Sequence, residues 1–180
     1  MTLKEVNERA AKIRLVLSDV DGVLTDGGVF YGADGEAMKR FNIRDGMGVE
    51  RLRDIGVEVG LITGEKSESV AARARKLQIE MVHLYCKDKP AVIRDIIAEG
   101  GFAAEEIAYI GDDVNDLEAM KMVSLSAAPA DAFSEVKEAA NYVCRRPGGH
   151  GAFRELAELI IEAKKEAEGS QKKSFGFQFE

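Results

Sequence analysis

Ile13-Arg14-Leu15-Val16-Leu17-Ser18-Asp19-Val20-Asp21-Gly22 carries an apolar run straight into two carboxylates. Such a run reads as a buried strand that delivers Asp19 and Asp21 to the edge of a sheet. Paired acids there bind a divalent cation, and one can attack while the other shuttles a proton. Ile107-Ala108-Tyr109-Ile110-Gly111-Asp112-Asp113-Val114-Asn115-Asp116 repeats the design: apolar run, glycine, acid cluster. Two acid-tipped strands in one chain are much harder to explain structurally than either alone. A calcium loop of the EF-hand type fails, since it needs further oxygen ligands and a Glu at position twelve. The third position after Asp21 is Leu24, and the twelfth counted from Asp19 is Phe30. For the first cluster taken alone, a pair of turn or helix-capping acids stays open.

Outward from these strands the chain alternates. Thr2 to Lys12 reads as a short helix leading into strand 13–19. Residues 28–41 place extended segments on both sides of Gly32-Ala33-Asp34-Gly35, which reads as a β-hairpin. Helix 46–55 precedes strand 57–63, helix 66–78 precedes strand 80–84, and helix 90–99 precedes strand 107–111. Helix 115–122 precedes strand 123–127, helix 134–140 precedes strand 141–144, and a final helix covers 151–167. This pattern implies an α/β fold, a Rossmann-like doubly wound parallel sheet with a hairpin flap. Ligands in such sheets sit beyond the carboxyl ends of the strands, where both acid clusters fall. The reading is one domain over 1–168, followed by a mobile tail over 169–180.

The bulk numbers narrow the classes. A chain of 180 residues fits one domain with a sizeable core. A net charge of −7 without a long basic run argues against a nucleic-acid surface. Cys86 and Cys144 have no zinc-type spacing and form no dense disulfide framework. The N-terminus lacks the pattern of a signal peptide, and no apolar stretch approaches a membrane span. The expected setting is a reducing cytoplasm, with no membrane partner.

Three further segments supply anion chemistry. Leu61-Ile62-Thr63-Gly64 ends an apolar strand in a hydroxyl and a glycine, whose N–H can hold a phosphate oxygen; a Thr helix cap is the plainer alternative. Lys89 precedes Pro90 at a helix start. A lysine there opposes the macrodipole unless an anion lies near. Asp112, Asp113 and Asp116 repel one another and invite a cation.

In this order, Asp19-Val20-Asp21-Gly22, Thr63-Gly64, Lys89 and Gly111-Asp112-Asp113-Val114-Asn115-Asp116 resemble the four motifs of the haloacid dehalogenase superfamily of phosphohydrolases. The resemblance covers residues 13–165. Most members carry a cap domain, yet only about forty residues separate the first two motifs and about two dozen the second from Lys89. The chain is therefore similar to the capless branch of 3-deoxy-D-manno-octulosonate 8-phosphate and nonulosonate 9-phosphate phosphatases. Thr25-Asp26-Gly27-Gly28, Asn42-Ile43-Arg44-Asp45-Gly46, Ala128-Pro129-Ala130-Asp131-Ala132 and Gly148-Gly149-His150-Gly151 resemble that group segment by segment.

The resemblance implies that Asp19 attacks phosphorus to form an aspartyl-phosphate. Asp21 then protonates the leaving oxygen and activates water. It implies Mg²⁺ on Asp19, Asp112 and the backbone carbonyl of Asp21, with Thr63, Gly64 and Lys89 on the phosphoryl oxygens. Asp116 is expected to orient Lys89, and Asp113 to hold metal-bound water. The substrate class implied is a sugar acid phosphate, and the implied assembly is a homotetramer whose hairpins cover one another's active sites. An isolated hairpin is marginal in water, and this one carries Val29, Phe30, Tyr31, Met38 and Phe41. A flap folded over its own sheet stays open as the alternative.

Specificity is expected on helix 66–78. Val70, Ala74 and Leu77 form its apolar stripe, and Glu65, Ser69, Arg73 and Lys76 form a second one. The second stripe is either a solvated face or a reader of the substrate's carboxylate and hydroxyls. Glu65 and Lys76 look more like the nine-carbon enzymes, and Asn42-Ile43-Arg44-Asp45-Gly46 more like the eight-carbon ones; the reading leans narrowly to nine. Rival functions are a non-catalytic oligomerisation or regulatory domain, which usually loses the attacking or shuttling acid, and a broad-range sugar phosphatase.

Overall fold

The computed structural model describes residues 1–99 and 101–176, with side chains described through 169. Its centre is the strand expected from the opening motif, β1 (Leu15–Ser18), all four residues of which are buried. β1 pairs in parallel with β4 (Glu58–Ile62) on one side and β6 (Ile107–Ile110) on the other. β5 (Met81–His83) extends the sheet beyond β4, while β7 (Leu125–Ala128) and β8 (Tyr142–Val143) extend it beyond β6. The order is β5-β4-β1-β6-β7-β8, and every pairing is parallel. The chain winds outward from β1 in one direction, returns, and winds out in the other. The turning point is the crevice between the ends of β1 and β6, where such sheets bind ligands.

Both faces of the sheet are covered, which is why its central strands are continuous apolar runs rather than alternating ones. Val16, Leu61, Ala108 and Ile110 face a layer of α1 (Leu3–Ala10), α2 (Ile43–Asp54), α3 (Glu68–Leu77) and α7 (Ala152–Gly176). Leu15, Leu17, Ile107 and Tyr109 face α4 (Lys89–Glu99), α5 (Leu117–Lys121) and α6 (Ser134–Ala139). No helix among the described residues is long and apolar enough to cross a membrane.

Two element boundaries differ from expectation in an instructive way. α2 starts at Ile43, not at 46, because the Asn42 side chain caps it by accepting from the Arg44 N–H at 2.9 Å. Two glycines then lie inside the helix. A Cβ on Gly48 would meet the Arg154 Cα at 3.2 Å and the Phe153 ring at 3.3 Å, so α2 and α7 approach closely only through a bare backbone. α7 runs on to Gly176, past the 167 expected for the last helix. The final four positions of the expected tail, 177–180, lie outside the described residues.

The hairpin forms as a separate two-stranded sheet, β2 (Val29–Gly32) against β3 (Gly35–Lys39). Its base is pinned by an Arg40–Asp26 ion pair at 2.6 Å and by the Asn42 amide donating to the Gly149 carbonyl at 3.0 Å. Phe30, Tyr31 and Met38 remain 59%, 74% and 58% exposed, so the hairpin does not cover them by folding over its own sheet.

Candidate active site

β1 and β6 end side by side, and that adjacency brings the two acid clusters together. Asp19 follows β1 and is almost fully buried. Lys89, the first residue of α4, reaches beneath it and donates from Nζ to Asp19 Oδ1 at 2.9 Å and to Asp116 Oδ1 at 2.6 Å. Burial alone would lower the lysine's pKa; the two carboxylates outweigh that and raise it. Asp116 is the hub of the floor. Its Oδ1 also accepts from the Tyr109 hydroxyl at 2.6 Å, and its Oδ2 accepts the backbone N–H groups of Asp112 and Asp113 at 3.1 and 3.3 Å.

Glycines make this density possible. A Cβ on Gly111 would lie 2.4 Å from the Asp116 carboxyl carbon, and one on Gly22 would lie 1.9 Å from Asp112 Oδ2. Gly22 also holds φ +84, a conformation that L side chains avoid. Each acid motif therefore supplies a glycine whose missing side chain is the seat of a carboxylate.

The electrostatics of the floor are those of a cation site. Burial first, and then the charge of Asp116, push the Asp19 carboxyl up to about 7. Burial together with Asp19, Asp116 and Asp113 pushes Asp112 up to about 8. Asp112 Oδ1 is buried with no hydrogen-bond partner. Oxygens of Asp19, Asp112 and Asp116 lie within 4.8 Å of one another, an all-oxygen set suited to a hard divalent cation. Asp116 is the poorest ligand of the three, since both its oxygens already accept hydrogen bonds. The orphaned oxygen of Asp112 is the best placed.

Above the floor is a cleft of about 280 Å³ lined by Asp19, Asp21, Gly22, Thr63, Gly64, Glu65, Asp112 and Asp113, among others. A larger hollow of about 800 Å³ runs beside β4 and β5. Buried, converging charge rather than volume marks the site, and that charge lies in the smaller cleft. Thr63 is buried at the end of β4, with its hydroxyl accepting from the Glu65 N–H at 3.2 Å. A Cβ at Gly64 would meet only the Cys86 carbonyl, at 3.7 Å, so packing does not demand glycine there. Asp113 caps the 3₁₀ turn Val114–Asp116, accepting from the Val114 N–H at 2.6 Å.

Arg73 and Lys76 are not among the residues that line the cleft; Glu65 is. The Arg73 guanidinium donates to the Asn42 carbonyl at 3.0 Å and lies 5.7 Å from the centre of the Phe41 ring, bracing the foot of the hairpin. Sequence reasoning missed two residues of the site. Tyr109 sat inside an apolar strand and read as core; its polar tip in a buried strand was the available signal. Lys39 on β3 donates to both oxygens of Asp21 at 2.6 Å with its side chain wholly buried. Nothing local to residue 39 announces a partner at residue 21.

A strand-end acid pair, a hydroxyl, a lysine and a second acid cluster around a doubly wound crevice define a phosphohydrolase-type hydrolase, and the profile of the haloacid dehalogenase-like hydrolases matches residues 46–123. The chain belongs to that family, in the branch of the 3-deoxy-D-manno-octulosonate 8-phosphate phosphatases. It is 40% identical to the Haemophilus influenzae protein of that name over 159 residues, 88% of each chain. The cobalt-bound Haemophilus influenzae structure superposes with a TM-score of 0.85 at 40% identity, covering 87% of this chain and 92% of that one. The Moraxella catarrhalis enzyme, in complex with magnesium, phosphate and KDO, superposes with a TM-score of 0.88 at 31% identity, covering 96% and 99%.

Proposed function

We propose that this chain hydrolyses the terminal phosphate monoester of an eight-carbon 2-keto-3-deoxy sugar acid, through an aspartyl-phosphate on Asp19. The carrying observation is the buried Asp19 carboxylate, held by Lys89 at the floor of a cleft beside the unpartnered oxygen of Asp112. The Asp19 carboxylate attacks phosphorus while the ester P–O bond breaks, and a proton from Asp21 goes to the leaving sugar oxygen. Water then attacks the aspartyl-phosphate and gives its proton to Asp21, which frees phosphate and restores Asp19. Thr63, the Gly64 N–H and Lys89 hold the phosphoryl oxygens, since phosphoryl transfer rests mostly on positioning and electrostatics. Asp19, Asp112 and the Asp21 carbonyl would hold Mg²⁺, which when bound would supply charge neutralisation at the transferring group. Asp116 orients Lys89, and Asp113 would hold water beside the cation.

The names of the relatives move the substrate from the nine-carbon acid, favoured narrowly by Glu65 and Lys76, to the eight-carbon one. Glu65 on the cleft wall keeps the nine-carbon acid as the second substrate to try. We also read residues 1–168 as one catalytic domain in which the hairpin replaces a cap. The exposed Phe30, Tyr31 and Met38 support a homotetramer in which hairpins cover one another. The free thiols of Cys86 and Cys144 accord with a cytoplasmic setting.

The test is Mg²⁺-dependent phosphate release from a panel holding the eight-carbon and nine-carbon acid phosphates and common hexose and pentose phosphates. The expected result is a kcat/KM for the eight-carbon acid at least about 10²-fold above the neutral sugar phosphates, with about 10⁴-fold within reach of a site that hydrogen-bonds the acid. A flat profile makes this a broad-range sugar phosphatase; no release from any ester makes it non-catalytic.

A further inference from the structure

Asp21 lines the cleft, but the main sheet does little to fix its carboxylate. The described partner from its own loop is the Thr25 hydroxyl, at 3.4 Å from Oδ1. What grips it is Lys39, which places Nζ 2.6 Å from both oxygens. Lys39 is itself held from behind. Glu36, on the same strand, lies 3.6 Å from the ammonium and accepts a hydrogen bond from the Ser67 hydroxyl at 2.5 Å. Ser67 caps α3, the helix that follows the Thr63-Gly64-Glu65 wall of the cleft. A chain of contacts thus runs from Asp21 through the hairpin to the opposite wall.

As a mere anchor for the hairpin this arrangement is costly. Taking an ammonium out of water carries a desolvation penalty that its partners only partly offset, and an apolar pair of similar volume commonly holds two elements together equally well or better. A charged grip has a use that an apolar one lacks: it fixes where two carboxylate oxygens point. The proposed function requires that of Asp21 in both half-reactions, since the leaving oxygen and the incoming water approach the same side of phosphorus. Displacements of about 1 Å cost such sites up to about 10²-fold in rate.

We propose that Lys39 is a positioning residue for Asp21. The hairpin is then part of the proton-transfer geometry, not only a cover. This inference rests on the reading of Asp21 as the acid and base of the reaction. A leaving-group comparison tests it in the Mg²⁺-loaded full-length enzyme. An alkyl ester such as the sugar acid phosphate needs its leaving oxygen protonated, whereas p-nitrophenyl phosphate departs as a stable anion. Lys39→Met should lower kcat/KM on the sugar ester about 10²-fold, the lower end of what general acid catalysis contributes, and on the aryl ester less than about fivefold. KM should stay within about threefold, and Lys39→Arg, which keeps a cation in place, should recover at least about tenfold of the loss on the sugar ester. Equal losses on both esters, or no loss on either, would overturn the proposal.

Should Lys39→Met fail to fold, Glu36→Gln keeps the ammonium but loosens its second anchor. The same selectivity for the sugar ester, at about five- to tenfold, is then expected, and its absence counts against the proposal. A crystal structure of the folded Lys39 or Glu36 variant separates this inference from the reading beneath it. If the wild type cleaves no ester, the phosphatase reading falls. An Asp21 carboxylate displaced in the variant would still support the positioning role, and one that keeps its place overturns it.

Discussion

At the ends of β1 and β6, Asp19 and Asp116 are held by elements of the main fold, the strand ends and the start of α4. Asp116 accepts from Lys89, Tyr109 and two backbone N–H groups, and Asp19 is buried against the same lysine. The hairpin 28–41 is built the other way. Its two strands pair only with each other, its apolar side chains Phe30, Tyr31 and Met38 face out, and its buried side chain is a charge, Lys39. The floor is preorganised by elements the fold needs in any case, so its geometry is as rigid as the core. The hairpin's contribution runs through Lys39 on Asp21, the Glu36–Ser67 hydrogen bond and whatever covers its tip. A site divided in this way should lose chemistry when the floor is altered and lose alignment when the hairpin is.

The largest effect belongs to the floor. Asp19→Asn presents an amide that cannot attack phosphorus and removes a charge from the cation site, so Mg²⁺-dependent phosphate release should fall by about 10⁴-fold or more. Near-normal turnover in a folded Asp19→Asn protein would break the covalent mechanism. Asp116→Asn comes next, read in stability. An amide offers one acceptor oxygen, so it cannot serve four donors, and a cost of about 3–5 kcal/mol is expected in urea unfolding. A cost under about 1 kcal/mol would mean that the floor is not rigidly preorganised.

The third prediction concerns pH in metal-free protein. The folded-state values of Asp19 and Asp112, about 7 and about 8, lie above the ordinary carboxylate value of 3.8. The native state therefore keeps protons that the unfolded chain has released. Its stability should fall as pH rises from about 4 to about 8, by on the order of a few kcal/mol, with no further loss from these groups above that window. Saturating Mg²⁺ binds the ionised carboxylates and should remove most of the slope. Thermal melts from pH 5 to 8.5 with and without Mg²⁺ check this; a metal-free melting temperature that climbs across the range contradicts it.

The smallest effect is expected at the hairpin tip. Phe30→Ser combined with Met38→Ser should leave the sheet folded, shift the assembly toward monomer and lower activity by about tenfold, within what misalignment costs. Light scattering that finds the wild type monomeric at micromolar concentration would remove the cover and leave Lys39 and the Glu36–Ser67 contact as the hairpin's links to the site.

Much of the floor was legible in the residues because its signals are local. An apolar run followed by acids announces a strand end, and glycine beside acid announces a turn that must make room; the positions of Asp19, Asp112 and Asp116 follow from those two patterns. The helix boundaries were less legible. The expected helix 46–55 already held Gly46 and Gly48, and what it lacked is the first turn from Ile43, which the Asn42 side chain caps. Arg73 shows the same limit. Its spacing on α3 suggested a specificity stripe, whereas the folded chain lays its guanidinium on Asn42 and Phe41.

By itself the sequence determined the doubly wound parallel sheet, the absence of a cap between the acid motifs and the residue types gathered at the crevice. Periodicity and strand-end composition are short-range properties, readable within about ten residues of where they act. Only the tertiary structure decided that Asp116 saturates its own oxygens and leaves Asp112 Oδ1 open, that Tyr109 serves the floor, and that Lys39 crosses to Asp21. Lys89 reaches Asp116 from 27 residues away and Lys39 reaches Asp21 from 18, while the nearer donors, Tyr109 and the Asp112 and Asp113 N–H groups, converge on Asp116 through the turn that follows β6. The two lysine contacts have no local pattern, because they are set by how α4 packs under β1 and how the hairpin folds back to Asp21.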